Sequence, residues 1–119
     1  MDELAKFKGE IHCVFGNIDD RFNTPKRAES LGIKFHGDIA EIEIEKRKIA
    51  VNHFSNIAEA LASTGKYDAV FYGHNHIADK KKIGKTLLVN AGELMDRKTG
   101  PSVAIYDTKT NDAEIIKLL

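Results

Sequence analysis

The segment that most constrains the fold is an apolar run that ends in a glycine followed by two histidines. Residues 67–72 read as a buried strand, and Gly73, His74, Asn75 and His76 follow it directly. Side chains two residues apart in an extended segment point the same way, so the two imidazoles share one side of the chain. Gly73 lets the backbone leave the strand without steric conflict. The segment therefore predicts a metal-binding turn at the end of a strand.

Two other apolar runs end in residues of the same kind. Asn17 follows the near-continuous apolar run 10–15, and His53 follows the run 49–51. Taken singly, such residues are more often turn asparagines or hydrogen-bonded histidines than ligands. Ligands of open α/β sheets bind outside the carboxyl ends of strands, where all of these residues are expected. Imidazole nitrogen and amide oxygen suit zinc, manganese, nickel or iron. Together they predict a metal site made of Asn17, His53, His74 and His76.

Length, charge and cysteine content exclude several other classes. The 119 residues fit one small domain, 1–119, and 18 basic residues balance 18 acidic ones, so we expect no specific nucleic-acid partner. No apolar stretch approaches the ~20 residues of a membrane span, so we expect no membrane partner. Cys13 is the single cysteine, which predicts a reducing, cytoplasmic location and a small buried side chain within the run 10–15.

Hydrophobic periodicity predicts several further elements. Residues 56–64 form a helix, with Ser55 or Asn56 as its N-cap and Gly65 just after its end. Residues 40–45 and 49–51 form a hairpin. The lysine run 80–82 is expected to be a solvated edge or turn. The remaining predicted elements are helices at 2–7 and 26–31 and strands at 78–82, 86–89, 102–106 and 113–118.

Four motifs occur in a specific order along nearly the whole chain. They are Gly16-Asn17-Ile18-Asp19, Val51-Asn52-His53, Gly73-His74-Asn75-His76 and Asn90-Ala91-Gly92-Glu93. In this order they resemble the calcineurin-like metallophosphoesterase family, in particular its small bacterial and archaeal phosphodiesterase branch. The resemblance implies an α/β fold, a metallophosphoesterase-like β-sandwich flanked by helices in αββα order.

The resemblance also implies an activity and roles for residues. The expected activity is hydrolysis of phosphodiester bonds in a small-molecule substrate by metal-activated water, with two divalent ions (manganese, nickel, zinc or iron). Asn17, His53 and His74 correspond to ligands of one ion and His76 to a ligand of the other. Asp19 and His53 are the implied catalytic residues, Asp19 by fixing the turn or an imidazole. The segment 90–93 is implied to be a turn beside the site.

The chain departs from the family pattern at its start. Family members begin with an Asp-x-His strand and a Gly-Asp strand end, which supply the carboxylate that bridges both ions, and neither motif precedes Gly16. The chain thus resembles the C-terminal two-thirds of such an enzyme, with the N-terminal part of the sheet missing. The segment 36–38, His-Gly-Asp, imitates Gly-Asp superficially and is interpreted as a turn. Ile18 stands where many relatives have a histidine as general acid.

Three interpretations follow from this departure. The chain is a phosphodiesterase-type enzyme domain with weak or no activity by itself, or a non-catalytic interaction or scaffold module, as the retromer subunit with this fold is. In a third interpretation another copy supplies the missing strands. An incomplete sheet would expose an edge and apolar surface at 11–15 and 70–72, which predicts a homo-oligomer formed through that edge.

Overall fold

A computed structural model describes residues 9–16, 21–73, 77–92 and 101–118. The described residues form two helices and nine strands, which are arranged in three sheets. The elements are β1 (His12–Cys13), α1 (Asn23–Ser30), β2 (Lys34–Phe35), β3 (Ile39–Ile44), β4 (Arg47–Asn52), α2 (Ser55–Ser63), β5 (Ala69–Tyr72), β6 (Asp79–Ile83), β7 (Thr86–Asn90), β8 (Ser102–Asp107) and β9 (Asp112–Lys117).

A five-stranded sheet with the order β3-β4-β5-β7-β6 forms the centre of the fold. Strands β4, β5 and β7 are parallel, while β3 and β6 run antiparallel to their neighbours. In the register of the parallel strands, Val70 pairs with Ala50 on one side and with Leu88 on the other. The carboxyl ends of β4, β5 and β7 therefore meet at one edge of the sheet.

Each face of this sheet is covered by another layer. On one face α2 packs Ala58 and Ala62 against Val70 and Leu88, since alanines let the helix approach closely. On the other face the β8–β9 hairpin packs Ala113 and its neighbours against β5 and β7. The predicted α/β sandwich is thereby confirmed. The expectation of exposed apolar surface at 70–72 is wrong for Val70, which is fully buried, while Phe71 and Tyr72 are half-buried.

A small β1-α1-β2 unit precedes the central sheet. The predicted strand 10–15 is shorter than expected, because only the two residues of β1 pair with the parallel strand β2. Residues 11–14 are half-buried, so burial on both faces is wrong for this strand, and Cys13 is half-buried as well. Phe15 alone of this run is buried, in edge-to-face contact with Phe35 at 4.6 Å. The helix predicted at 26–31 is α1, which begins three residues earlier and ends one residue earlier, at Asn23–Ser30.

The remaining predictions have mixed outcomes. The helix predicted at 56–64 is α2, and Gly65 follows it with a left-handed φ of 73°. The N-cap is Phe54, not Ser55 or Asn56, and it makes no side-chain capping bond. The lysine run lies in β6, at an exposed edge of the sheet as expected. The helix predicted at 2–7 lies outside the described residues. No helix in the described part of the chain is long and apolar enough to cross a membrane.

Candidate metal and phosphodiester site

The predicted site residues are described only in part. His53 lies among the described residues, directly after β4. Asn17, Asp19, His74 and His76 lie outside them. Gly16 and Gly73, which precede Asn17 and His74, are described, however, so the structure shows the backbone from which these two segments continue.

His53 and Gly73 lie side by side where β4 and β5 end. The Gly73 N–H donates a hydrogen bond to the His53 carbonyl oxygen, with an N···O distance of 3.2 Å. A Cβ atom at Gly73 would lie 3.7 Å from His53 Nδ1, so the imidazole packs against the glycine backbone. On another side the Phe54 ring meets the His53 ring edge-to-face at 5.0 Å. The structure thus brings His53 against the residue that precedes His74 in the sequence.

Asn52, the last residue of β4, is 2% exposed and makes two hydrogen bonds through its side-chain amide. Its Nδ2 donates to the Asp38 carbonyl oxygen at 2.8 Å. Its Oδ1 accepts from the Phe54 N–H at 2.8 Å, which closes a tight turn around His53. The backbone that carries His53 is therefore fixed by a buried side chain of the preceding residue.

Asn90, the last residue of β7, repeats this arrangement on the other side. It is 0% exposed, its Nδ2 donates to the Gly73 carbonyl oxygen at 3.3 Å, and its Oδ1 accepts from the Gly92 N–H at 2.9 Å. The Ser102 hydroxyl donates to the Ala91 carbonyl oxygen at 2.6 Å and holds the same turn. The described part of the segment 90–93 is thus a turn at the site edge, while Glu93 lies outside the described residues.

The turn at 36–38 connects β1 to this edge. The Phe15 N–H donates to the Gly37 carbonyl oxygen at 2.7 Å, and the Asp38 carbonyl oxygen accepts the bond from Asn52. The Asp38 carboxylate accepts two hydrogen bonds from the Arg21 guanidinium, the shorter at 2.7 Å. These bonds from Arg21 lower the pKa of Asp38. The Arg21 guanidinium also lies 4.4 Å from the centre of the Phe15 ring. The interpretation of 36–38 as a turn is confirmed.

A second histidine pair lies in the β1-α1-β2 unit. His12 on β1 and His36 after β2 are within hydrogen-bonding distance of each other. Among the described residues no group of three or more His, Cys, Asp or Glu side chains is placed to hold a metal ion. Of the predicted ligands, His53 lies among the described residues, and its Nδ1 is close to Gly73, which adds no side chain of its own. An imidazole nitrogen is a donor that suits a divalent cation.

Sequence reasoning named Asn52 and Asn90 but missed what their side chains do. The available signal was an asparagine at the last position of an apolar strand, a residue type that often bonds the backbone N–H two residues on. Its second bond, to the carbonyl of a neighbouring strand, depends on the order of strands in the sheet.

The central five-stranded sheet, with α2 on one face and the β8–β9 hairpin on the other, forms an α/β sandwich, and the candidate site is predicted at the carboxyl ends of its parallel strands. Residues 1–111 match the family model of the calcineurin-like phosphoesterase superfamily domain. The chain belongs to this superfamily, and its relatives place it with the phosphodiesterase type.

Two comparisons carry most of the likeness. A phosphodiesterase of Methanocaldococcus jannaschii is 31% identical over 123 residues, which cover 99% of this chain and 74% of that protein. The structure of an archaeal phosphodiesterase superposes with a TM-score of 0.85 at 26% identity, over 98% of this chain and 74% of that chain. Vps29 from Chaetomium thermophilum shares the fold, with a TM-score of 0.58 at 16% identity over 90% and 68% of the two chains.

Proposed function

We propose that the protein hydrolyses small-molecule phosphodiesters with the help of a bound divalent cation. The site lies at the edge where β4, β5 and β7 end. The observation that carries this proposal is the contact of His53 with Gly73, which joins two strand ends that each lead into a predicted ligand. The phosphodiesterases similar to this chain support the substrate class.

The ligands we propose are Asn17, His53, His74 and His76, with Asp19 beside them as a group that orients the turn or an imidazole. A divalent cation in such a site lowers the pKa of water and offsets charge on the phosphoryl group. All four proposed ligands are neutral, so the ligands themselves would not offset the positive charge of the cation, and Asp19 beside them would offset it only in part. This favours an anionic phosphodiester, and it also makes the cation bind more weakly than it would to carboxylates.

Ile18 determines which substrates should react well. Many relatives have a histidine at this position as general acid, whereas an isoleucine cannot donate a proton to the departing oxygen. The leaving alkoxide must therefore take its proton from water. We accordingly propose that diesters with acidic leaving groups, such as aryl esters, react faster than dialkyl esters.

The test is an assay of wild-type protein with bis-p-nitrophenyl phosphate, with and without manganese, beside His53→Ala. We expect manganese-dependent release of p-nitrophenolate in the wild type. In H53A it should fall by at least the roughly 10- to 100-fold that loss of a metal-supporting group costs. His12→Ala is the matched control, because it removes a half-buried histidine that is not among the proposed ligands and should retain the activity. Turnover that is independent of manganese, or equal in H53A and wild type, would overturn the proposal.

A further inference from the structure

We propose that Asn52 and Asn90 are positioning residues, whose side-chain amides join three strand ends into one hydrogen-bonded chain that sets the backbone around the metal ligands. The inference rests on the proposed function for what is positioned, while the chain itself is formed by described residues.

The hydrogen-bonded chain consists of five bonds and runs across the carboxyl ends of β4, β5 and β7. Gly92 N–H donates to the Asn90 side chain at 2.9 Å, and the Asn90 side chain donates to the Gly73 carbonyl at 3.3 Å. Gly73 N–H donates to the His53 carbonyl at 3.2 Å. The last two bonds run from the Phe54 N–H to Asn52 and from Asn52 to the Asp38 carbonyl, each 2.8 Å long.

The five bonds form two runs that are each connected through amide groups, and the two runs meet at Gly73, whose carbonyl and N–H belong to different peptide groups. The His53 carbonyl and the Phe54 N–H belong to one peptide group, and each asparagine uses both ends of its side-chain amide. Within each run, every amide accepts one bond and donates the next. Hydrogen bonds that share amide groups in this way polarise one another, and more so when they are buried. Asn52 and Asn90 are 2% and 0% exposed, respectively.

The position of the chain gives it a role in the site. It fixes the peptide group after His53 and the carbonyl of Gly73, the residue immediately before His74. Binding sites require their ligands to be held to within about 0.5 Å, and buried hydrogen bonds from supporting residues provide this precision. Without the amide of Asn90 the ends of β5 and β7 lose a side-chain link between them. Without the amide of Asn52 the turn that carries His53 is no longer tied to Asp38.

Asn111 provides a matched control. It is also buried, with 8% exposure, and its Nδ2 donates to a backbone carbonyl, that of Asp68, at 3.0 Å. Its Oδ1 accepts from the Tyr106 hydroxyl. Asp68 directly precedes β5, so Asn111 makes the same kind of link at the amino-terminal end of β5, away from the carboxyl ends where the site is proposed. Its loss should lower stability without changing the site.

The experiment compares Asn52→Ala, Asn90→Ala and Asn111→Ala in the full chain. Alanine is preferred to aspartate, because a new carboxylate near the site would itself attract a cation. Folding is checked by urea unfolding, manganese affinity is measured by titration calorimetry, and backbone amides are followed by NMR in the metal-free protein. Asn52→Ser and Asn90→Ser replace any alanine variant that does not fold.

We expect N52A and N90A to weaken manganese binding by roughly 10- to 100-fold, while N111A stays within about twofold of wild type. N90A should also shift the amide resonances of Gly73 and Phe54 without metal, and N111A should leave both unchanged. Equal affinities in all folded variants, or an equal loss in N111A, would overturn the positioning role. If wild type binds no manganese, the proposed function fails, and unshifted resonances of Gly73 and Phe54 in N90A would then separately overturn the hydrogen-bonded chain.

Discussion

His12 Nδ1 lies 2.8 Å from His36 Nε2, and the two ring centroids are 5.1 Å apart with only 26° between the ring planes. Two imidazoles have this spacing when the N–H of one ring donates a nearly linear hydrogen bond to the unprotonated nitrogen of the other. One ring must therefore donate and the other accept, which the neutral forms allow. If both rings carried a proton on each nitrogen, two donors would face each other and the bond would be lost.

This pair predicts that the protein loses stability in mild acid. Burial first, and then the charge of His36, lowers the pKa of His12, while Glu10 opposes the shift and Lys34 adds to it. The folded chain therefore binds fewer protons than the unfolded chain near pH 6.5, so the free energy of unfolding falls as pH drops from about 6.5 through the folded pKa of His12.

The free energy of unfolding is measured in urea at about pH 7.5 and at about pH 5.5, because carboxylates titrate little between these two values. We expect His12→Asn to flatten the pH dependence and to cost about 1 kcal/mol at the higher pH, the worth of one hydrogen bond. An unchanged slope in H12N would show that another group is responsible.

Arg47 should stabilise the contact between the sheet and the β8–β9 hairpin. Its guanidinium pairs with Asp68 at 3.2 Å and donates to the carbonyl oxygens of Thr108 and Lys109 at 2.7 and 3.4 Å. The three contacts use three different nitrogens of the guanidinium, and the single nitrogen of a lysine ammonium does not reproduce this fork, so Arg47→Lys should lower the free energy of unfolding by about 1–3 kcal/mol. Arg21→Lys is the control, because its ion pair is exposed and should change stability by less than about 1 kcal/mol. Equal effects of the two substitutions would contradict the assignment.

Gly92 should tolerate no side chain. Its φ is 91°, and an added Cβ would lie 2.1 Å from Ser102 Oγ and 3.2 Å from the Ala78 Cβ. Gly92→Ala should cost more than Gly84→Ala, which has a φ of 60° and no atom within 4 Å of the new Cβ. We expect a difference of about 1–3 kcal/mol in urea unfolding, in the range of an overpacked site.

Ser102→Ala in the G92A background gives an internal check of that explanation. It removes the hydroxyl that meets the new methyl group, and the Ser102 Cβ itself would be 3.5 Å away, an ordinary contact. Part of the lost stability should return, although the bond to the Ala91 carbonyl is given up. No recovery at all would mean that backbone conformation alone causes the cost.

Self-association through the edge at 11–15 and 70–72 stays a prediction, and the two outer strands of the central sheet offer a second place for it. Strand β3 carries Glu41 and Glu43 at one edge, and β6 carries Lys80, Lys81 and Lys82 at the other. We expect oligomers that weaken as salt is added, and Lys81→Glu should reduce them. Sedimentation velocity over a range of protein and salt concentrations measures both effects, and a monomer under every condition would contradict the prediction.

Hydrophobic periodicity was sufficient to predict several strands of the central sheet and the helix that covers one of its faces. Helix α2, the β3–β4 hairpin and β7 follow from spacing that burial on one or both faces imposes. The run 10–15 led to a strand that was too long, because an apolar sequence predicts a strand whether or not a partner pairs with it. The partner β2 was not predicted, because its two residues, Lys34 and Phe35, are too few to show a pattern.

The candidate site was predictable in its residue types but not in its supporting bonds. The sequence places β6 between β5 and β7, whereas the sheet places β7 directly beside β5. Only that rearrangement brings Asn90 to the carbonyl of Gly73. No spacing in the chain encodes it, because long-range strand order results from packing of the whole domain.

The charges at the two outer strands of the sheet restrict the geometry of any fibre or ring that this protein could form. Contact between two copies of β3 would place glutamates opposite glutamates, and contact between two copies of β6 would do the same with lysines. Only acidic edge against basic edge is favourable, which is a head-to-tail contact without two-fold symmetry. Each added copy would leave one acidic and one basic edge open, so growth would stop only if the rotation between copies happened to close the ring.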